Sequence, residues 1–405
     1  MSKLNETIDH LFRSEYVKLT SFLTSKFGVS NIDIIEDAVQ EALLKAMRLW
    51  SFKEIPENPG KWLYRVSHNK IIDVLRRQSK TVMFNPEIMK DYEDGDFSID
   101  DGIQDEQLKM IFACCHPSMK ETEQVMLSLK LLCGFGNKEI ARALFKQTEA
   151  VKKAITRAKL KFKTEVGDLE VPSSEQLTER LNGVLKVIYL LFNSGYTAHS
   201  GESLLKKEVC EDALRLAGIL HNNKDCSSSD LNALIALMCY QMSRFDARVN
   251  EEGKMVIFEN QNRELWDFDL INLGSQFLGQ SVNGTNYSQY QLEAAIAREY
   301  AVSKSYEDVD WENILRIYNI LQSQSNNLVY QLNRLVIIQK AKGTKEAMKE
   351  LQKLDTKKLE DNHLYYSILS NFQKDLGIAD YKTNLQKAID LTENQQEKEF
   401  LTSLF

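Results

Sequence analysis

All five prolines, at positions 56, 59, 86, 117 and 172, lie in the first part of the chain, and residues 173–405 contain none. Proline is excluded from helix interiors, and through the proline-free run apolar side chains recur at spacings of three and four. Alternating β-branched runs bounded by turn residues, the signature of strands, are weak everywhere. The expected class is therefore all-α, with helix following helix to the C-terminus. At 405 residues the chain exceeds what a single core serves, so several units are expected.

Changes in composition place the boundaries. Residues 1–84 read as several helices ending in a basic one. Residues 85–107 carry nine acidic side chains against one lysine, without apolar periodicity, and are expected to form an acidic linker. Residues 108–168 form a second helical unit ending in a lysine-rich helix, and Val171-Pro172-Ser173-Ser174 separates it from a long helical part over 173–405. The six cysteines are too sparse for a disulfide framework and fit reduced, buried thiols. No run approaches the ~18 apolar residues of a membrane span, and residues 1–12 lack an apolar signal core, so a cytoplasmic protein without membrane contact is expected. The net charge of −7 argues against indiscriminate coating of nucleic acid but averages over segments of opposite sign.

The first of those segments, Ile140 to Phe162, has a helix-turn-helix pattern. Its first helix is expected over Asn137–Leu144, its turn at Phe145-Lys146-Gln147, and its second helix from Thr148 as N-cap, with Glu149 at the positive helix end. At about 100° per residue, Val151, Ala154, Ile155, Ala158 and Phe162 make one apolar stripe. Lys152, Lys153, Thr156, Lys159 and Lys163 spread over the other side, flanked by Arg157. Such a helix fits a major groove, where Lys and Arg meet phosphates and guanine edges. The alternative is a surface helix whose lysines only keep it soluble.

Over Gly60–Lys80, Leu63, Val66, Ile71, Val74 and Leu75 share one half of a helical wheel, with Trp62, Arg65, Asn69, Asp73 and Arg76 on the other and Arg77 beside them. An aromatic among cations and an amide suits melting DNA: Trp stacks on an exposed base, Arg holds phosphate and Asn reads a base edge. A tryptophan tucked under a neighbouring helix, with a surface ion pair from Asp73, explains the pattern equally well. The preceding Ser51–Pro59 loop, with Phe52 and two prolines, either holds an extruded base or simply connects helices. Over Ile35–Trp50, Val39, Ala42, Leu43, Ala46 and Trp50 face inward, leaving Asp37, Gln40, Glu41, Leu44 and Arg48 on a second face. A leucine among charges marks either an interface or an ordinary solvated face.

Cys114-Cys115-His116 and Cys133 are metal-type ligands, but adjacent cysteines lack the spacing that wraps a tetrahedral zinc, and no metal or cofactor is expected. No H-E-x-x-H pair, G-x-S-x-G elbow, phosphate loop or dinucleotide fingerprint is present, so no enzyme is expected.

In their order, Glu36-Asp37-Ala38-Val39-Gln40-Glu41-Ala42-Leu43, then Trp62-Leu63-Tyr64-Arg65-Val66 with Asn69, Asp73, Arg76 and Arg77, then Glu139-Ile140-Ala141-Arg142 leading into Thr148–Lys163, resemble an extracytoplasmic-function RNA polymerase sigma factor. The resemblance covers residues 5–166. It implies two small helical sigma domains. Region 2 at 1–84 would bind core polymerase through Asp37, Gln40, Glu41, Leu44 and Arg48. It would also recognise and open the −10 element through Phe52, Trp62, Arg65, Asn69, Asp73, Arg76 and Arg77. Region 4 at 108–168 would read the −35 element through Thr148, Lys152, Lys153, Thr156, Arg157 and Lys159. Many relatives carry glycine in the turn where this chain has Phe145-Lys146-Gln147.

Residues 173–405 exceed a minimal sigma factor. Val187–Asn193, Asn262–Asp267 and Tyr290–Ile296 resemble the extension of a subgroup with a tetratricopeptide-like C-terminal domain. A displacement of about 34 residues, the period of that repeat, aligns Leu332 with Tyr366, Leu335 with Leu369, Gly343 with Gly377, Ala347 with Tyr381 and Leu351 with Leu385. Such solenoids expose surfaces for a protein or peptide partner. The expected function is promoter recognition with core RNA polymerase and promoter DNA as partners. The alternative is a helical-repeat adaptor whose N-terminal module binds DNA in a general way.

Overall fold

The structure, a computed structural model, describes residues 2–50, 55–79, 99–144, 146–196, 203–248, 250, 256–284, 286–325, 327–354, 359–392 and 395–404. Among them every regular element is helical, as expected from the spacing of apolar residues. The chain forms two compact units, residues 1–194 with 211–226, and residues 195–210 with 227–405.

In the first unit α1 (Ser2–Phe27), α2 (Ile32–Trp50) and α3 (Pro59–Ser79) enclose a core. It contains Val17, Leu19 and Leu23 from α1, Ile35, Val39, Ala42 and Ala46 from α2, and Leu63 and Ile71 from α3. Gly28, at φ 85°, turns the chain between α1 and α2, a conformation that costs a glycine little. Pro59 opens α3 at the position where a missing N–H loses no bond, and Asn58 Oδ1 accepts the Lys61 N–H at 2.9 Å.

The next helices are α4 (Ile99–Cys114), α5 (Glu121–Leu131), α6 (Asn137–Ala143) and α7 (Thr148–Glu165). The last residues of the acidic stretch, 99–107, are helical and begin α4, whose Leu108, Ile111 and Phe112 are buried; residues 80–98 lie outside the described residues. Gly134, at φ 73°, lets the chain leave α5 directly beneath α1. There Arg13 lies 4.3 Å from the centroid of the Phe135 ring and 3.5 Å from the Glu139 carboxylate. The first unit continues past Pro172 into α8 (Ser174–Tyr196), so the break in composition at 172 does not end it. Arg180 of α8 donates to the Phe112 carbonyl at 2.9 Å, and Arg215 donates to the Leu132 carbonyl at 2.6 Å.

In the second unit, side-chain caps mark helix after helix. Ser228 caps α10 (Ser229–Met242), Asp267 caps α11 (Phe268–Ser281), Ser288 caps α12 (Gln289–Val302) and Asp310 caps α13 (Trp311–Gln324). Helix α9 (Ser203–Asn222) precedes them. Gly274 of α11 lies against Tyr240 of α10, where a Cβ would stand 3.1 Å from the ring. There follow α14 (Leu328–Lys342), α15 (Thr344–Leu351), α16 (His363–Asp375), α17 (Tyr381–Leu391) and α18 (Gln395–Thr402) around one core. The 34-residue displacement superposes α14 on α16 and α15 on α17, and Gly343 and Gly377 both take positive φ, 89° and 70°, between the paired helices.

Candidate nucleic-acid interface

The predicted docking face of α2 is open along its length. Asp37, Gln40, Glu41, Leu44 and Arg48 are exposed, Leu44 at 54%, and Met47 beside it at 46%. Met47, one turn from Leu44, adds an apolar contact that the sequence reading passed over; its three-residue spacing from Leu44 was the available signal. Glu41 pairs with Lys70 of α3 at 2.6 Å, which ties the two helices at their surface.

On α3, Arg65, Asn69, Asp73, Arg76 and Arg77 are exposed, while Leu63 and Ile71 are buried. Trp62 departs from this face. It is half-buried, its ring 5.5 Å from that of Trp50, which stacks in turn on Phe12 at 6.2 Å. Its apolar bulk favours this cluster over solvent. Beside the trio lies a cavity of about 160 Å³ lined by Phe12, Glu15, Trp50, Pro59, Gly60 and Leu63. Phe52, assigned to the same region, lies outside the described residues. His68, on the inner side of α3, sits between the Phe27 and Tyr64 rings; burial and the neighbouring Lys26 charge push its pKa down.

Helices α6 and α7 lie in the expected order. Glu139 Oε2 accepts the Gly136 N–H at 2.6 Å, satisfying the start of α6. Lys146 N–H donates to the Ala141 carbonyl at 2.8 Å as the chain reverses, while Phe145 lies outside the described residues. Thr148 is not the N-cap: it occupies the first helical position, Gln147 precedes it, and no side chain caps this end. Val151, Ala154, Ile155, Ala158 and Phe162 are buried as the stripe predicts. Lys152, Lys153, Thr156 and Arg157 are exposed, and Thr156 Oγ1 donates back to the Lys152 carbonyl at 2.9 Å.

Lys159 is the exception among the assigned cations. It turns toward the first turn of α2, 3.1 Å from Asp33, and meets Glu36 Oε2 as an ion pair whose angles do not make a hydrogen bond. Lys163, one turn on, pairs with Asp33 as well. Glu36 is 2% exposed; its Oε1 accepts the Tyr16 hydroxyl at 2.7 Å and lies 3.8 Å from Lys130 Nζ. Burial opposes ionisation of Asp33, but hydrogen bonds from Lys163 and Lys159 outweigh it and hold the carboxyl below its ordinary value. Burial likewise opposes the charge on Lys159, and the Glu36 and Asp33 carboxylates outweigh it and raise its pKa. Burial and the Glu36 charge push the Tyr16 hydroxyl well up, so it remains a neutral donor. Asp33 and Glu36 were missed in the sequence because their lysine partners on α7 lie more than a hundred residues away.

Around this network the two predicted surfaces meet. Asp37 and Gln40 of α2 and Lys152, Thr156 and Arg157 of α7 line one groove of about 500 Å³. The outer face of α3 is not among its walls.

Cys114, Cys115 and Cys133 are buried, and burial pushes their thiols up, that of Cys115 to about 12, so they are neutral core side chains. The His116 ring Nδ1 lies 2.8 Å from Ser118 Oγ. Among the described residues no helix is long and apolar enough to cross a membrane.

Residues 11–81 match the family Sigma-70 region 2, and residues 180–282 match a family of unknown function (DUF6596). A relative from Rhizobium meliloti (strain 1021), named uncharacterized protein R00370, is 31% identical over 378 residues, covering 92% of this chain and 89% of the relative. No solved structure matches the chain.

Proposed function

We propose a promoter-recognition role from one premise: the chain belongs to the sigma-70 family and carries a helical C-terminal extension. A sigma-70 region 2 implies work with core RNA polymerase and promoter DNA in transcription initiation. In our reading the protein is a cytoplasmic sigma factor of the extracytoplasmic-function type. Its polymerase contacts are Asp37, Gln40, Glu41, Leu44 and Arg48 on α2.

The observation that carries this reading is the outer face of α3, inside the region 2 match, where Arg65, Asn69, Asp73 and Arg76 stand one turn apart and exposed. Two guanidinium groups about three turns apart on one face follow a phosphate backbone, and the amide between them reaches a base edge. The 160 Å³ cavity beside Trp50 and Leu63 has the apolar walls that suit an unstacked base. Helices α6 and α7 act as the helix-turn-helix, with Thr148, Lys152, Lys153, Thr156, Arg157 and, once released, Lys159 toward the −35 element. The paired helices α14–α15 and α16–α17 form a tetratricopeptide-like surface for a protein or peptide partner. Catalysis belongs to the polymerase.

Run-off transcription with purified core polymerase and a genomic fragment library tests the proposal. Discrete start sites sharing two upstream elements, lost with Arg65→Ala and Arg76→Ala together, are expected. No start sites and no polymerase binding would refute it and favour a helical-repeat adaptor.

A further inference from the structure

The stretch Asn262–Asp267 has no part in promoter recognition, yet in the second unit it builds a corner of cations and aromatic rings. Asn262 Oδ1 accepts the Glu264 N–H at 3.0 Å and Asp267 caps α11, so Arg263 and Trp266 are fixed from both sides. The Arg263 guanidinium lies 4.4 Å from the centroid of the Trp266 ring and 5.5 Å from that of Phe258. Arg244, just past the end of α10, lies over the same two rings, at 5.9 and 5.1 Å. We propose that Arg244, Arg263 and Trp266 form a binding site for a phosphate group, carried by the free ion or by a small phosphate monoester. The inference stands on the second unit alone and is independent of the sigma reading.

Three observations carry it. First, each guanidinium is anchored by neutral acceptors. Arg263 Nη1 donates to the carbonyls of Tyr300, at 3.3 Å, and of Ser303. Arg244 Nη2 donates to the Tyr196 hydroxyl at 2.7 Å and to Gln241 Oε1 at 3.1 Å. These bonds hold both cations in place without neutralising them, and among the described residues neither makes an ion pair with a carboxylate. Next, donors are left over. Arg263 Nη2 and Trp266 Nε1 are buried without a hydrogen-bond partner, and Trp266 is 4% exposed. Buried donors in folded proteins are nearly always paired, and aromatic faces offset only part of the cost of burying a cation without a counter-ion. Finally, the two charges oppose one another. Burial lowers the Arg263 pKa and the Arg244 charge lowers it further, while Asp308 and Glu307 pull the other way from beyond ion-pair distance. An anion shared by the two arginines removes that repulsion.

The donor set selects the anion. One guanidinium fork already fills the two oxygens of a carboxylate. Two forks and an indole N–H, held by separate segments, offer more donors and more charge than a carboxylate matches. A phosphate monoester has three acceptor oxygens and a charge of about −1.5 to −2 at neutral pH, which matches both. Arg244 and Arg263 are half-buried, which leaves them open to an ion from solvent.

Isothermal titration calorimetry of the full chain in phosphate-free buffer tests the site, with inorganic phosphate, glycerol phosphate and acetate as probes. We expect one phosphate per chain with a Kd of about 1 mM or tighter, and acetate weaker by about tenfold. Arg244→Gln can still donate to Tyr196 but removes a charge, and Arg263→Lys keeps the charge but removes the fork. Each should weaken phosphate binding by about tenfold. Trp266→Phe keeps the ring and loses the N–H, and should weaken it about threefold to tenfold. Lys345→Gln, at an exposed cation elsewhere in the second unit, should leave it unchanged. The tighter of inorganic phosphate and glycerol phosphate names the source, and either supports the site. Three results overturn it: no binding of either up to about 10 mM, acetate bound as tightly, or binding that survives Arg244→Gln and Trp266→Phe. Those two variants carry the test by themselves if Arg263→Lys loses its anchors at Tyr300 and Ser303 and fails to fold.

Discussion

Replacing Lys159 by alanine removes the ammonium closest to a carboxylate that is nearly sealed from water. Glu36 is 3% exposed at its side chain and Lys159 19%, so the pair sits where breaking one partner costs about 3–5 kcal/mol. Two groups remain on Glu36, the Tyr16 hydroxyl at 2.7 Å and Lys130 at 3.8 Å, and they offset part of that loss. The expected net destabilisation of the first unit is about 2–3 kcal/mol, or about 5–10 °C in its melting temperature for a unit of this size. Lys153→Ala, on the exposed side of the same helix, should stay within about 0.5 kcal/mol of the parent. The decisive comparison is the double variant Glu36→Gln with Lys159→Ala. It buries no charge and should recover most of the loss, giving a coupling of about 1–2 kcal/mol in the thermodynamic cycle. Differential scanning calorimetry of the full chain, resolving the transition of the first unit, measures all four proteins. A Lys159→Ala melt indistinguishable from Lys153→Ala, or losses that simply add, would show that the pair is not the buried contact described.

Gly134→Ala should destabilise the same unit by about 2–4 kcal/mol, combining a left-handed backbone with overpacking: φ is 73° and the new Cβ would stand 2.6 Å from Arg13 Cγ. A thermal melt that moves by less than a degree would contradict this packing. The ion pairs of Asp33 with Lys159 and Lys163 should be insensitive to pH near neutrality. Asp33 is depressed below its ordinary 3.8, so its contribution is present above that value and disappears as pH falls through the folded pKa. Lys159 is raised above its ordinary 10.5, so its contribution is present below that value and disappears as pH rises through the folded pKa. The gap in melting temperature between the parent and Lys159→Ala should therefore hold constant from about pH 5 to 9, and a transition inside that window would refute the assignment of charges.

Helix existence was legible because the signal is local. The stripe Val151, Ala154, Ile155, Ala158 and Phe162 is buried as written. The outward residues of α2 and α3 were legible for the same reason, since a wheel tells inside from outside. Three particulars were not. Trp62 lies on the polar half of its wheel, yet Phe12 and Trp50, from two other helices, supply an aromatic cluster that no single-helix pattern encodes. Lys159 falls among cations on its own helix, and only the fold brings Asp33 and Glu36 to it. Thr148 is a good cap by residue type, but the backbone reversal through Lys146 and Ala141 starts the helix one residue earlier than that choice requires.

The boundary at residue 172 fails for a related reason, and its failure bears on how the extension is understood. Proline and serines mark where a helix stops; they say nothing about which core the next helix joins. Arg180 and Arg215 lie beyond that boundary, yet their guanidinium groups satisfy the carbonyls of Phe112, in the buried last turn of α4, and of Leu132, the residue that caps the end of α5. Hydrogen bonds from a charged donor are among the stronger ones, and half-buried carbonyls that lose them are left short of a partner. The ends of α4 and α5 are thus completed by residues that a composition-based division assigns to a separate part. The match to the family of unknown function, over residues 180–282, begins at Arg180 itself and includes Arg215. Part of the matched stretch consequently supports the first unit, while the helices that follow Cys226 form the second unit with residues 195–210.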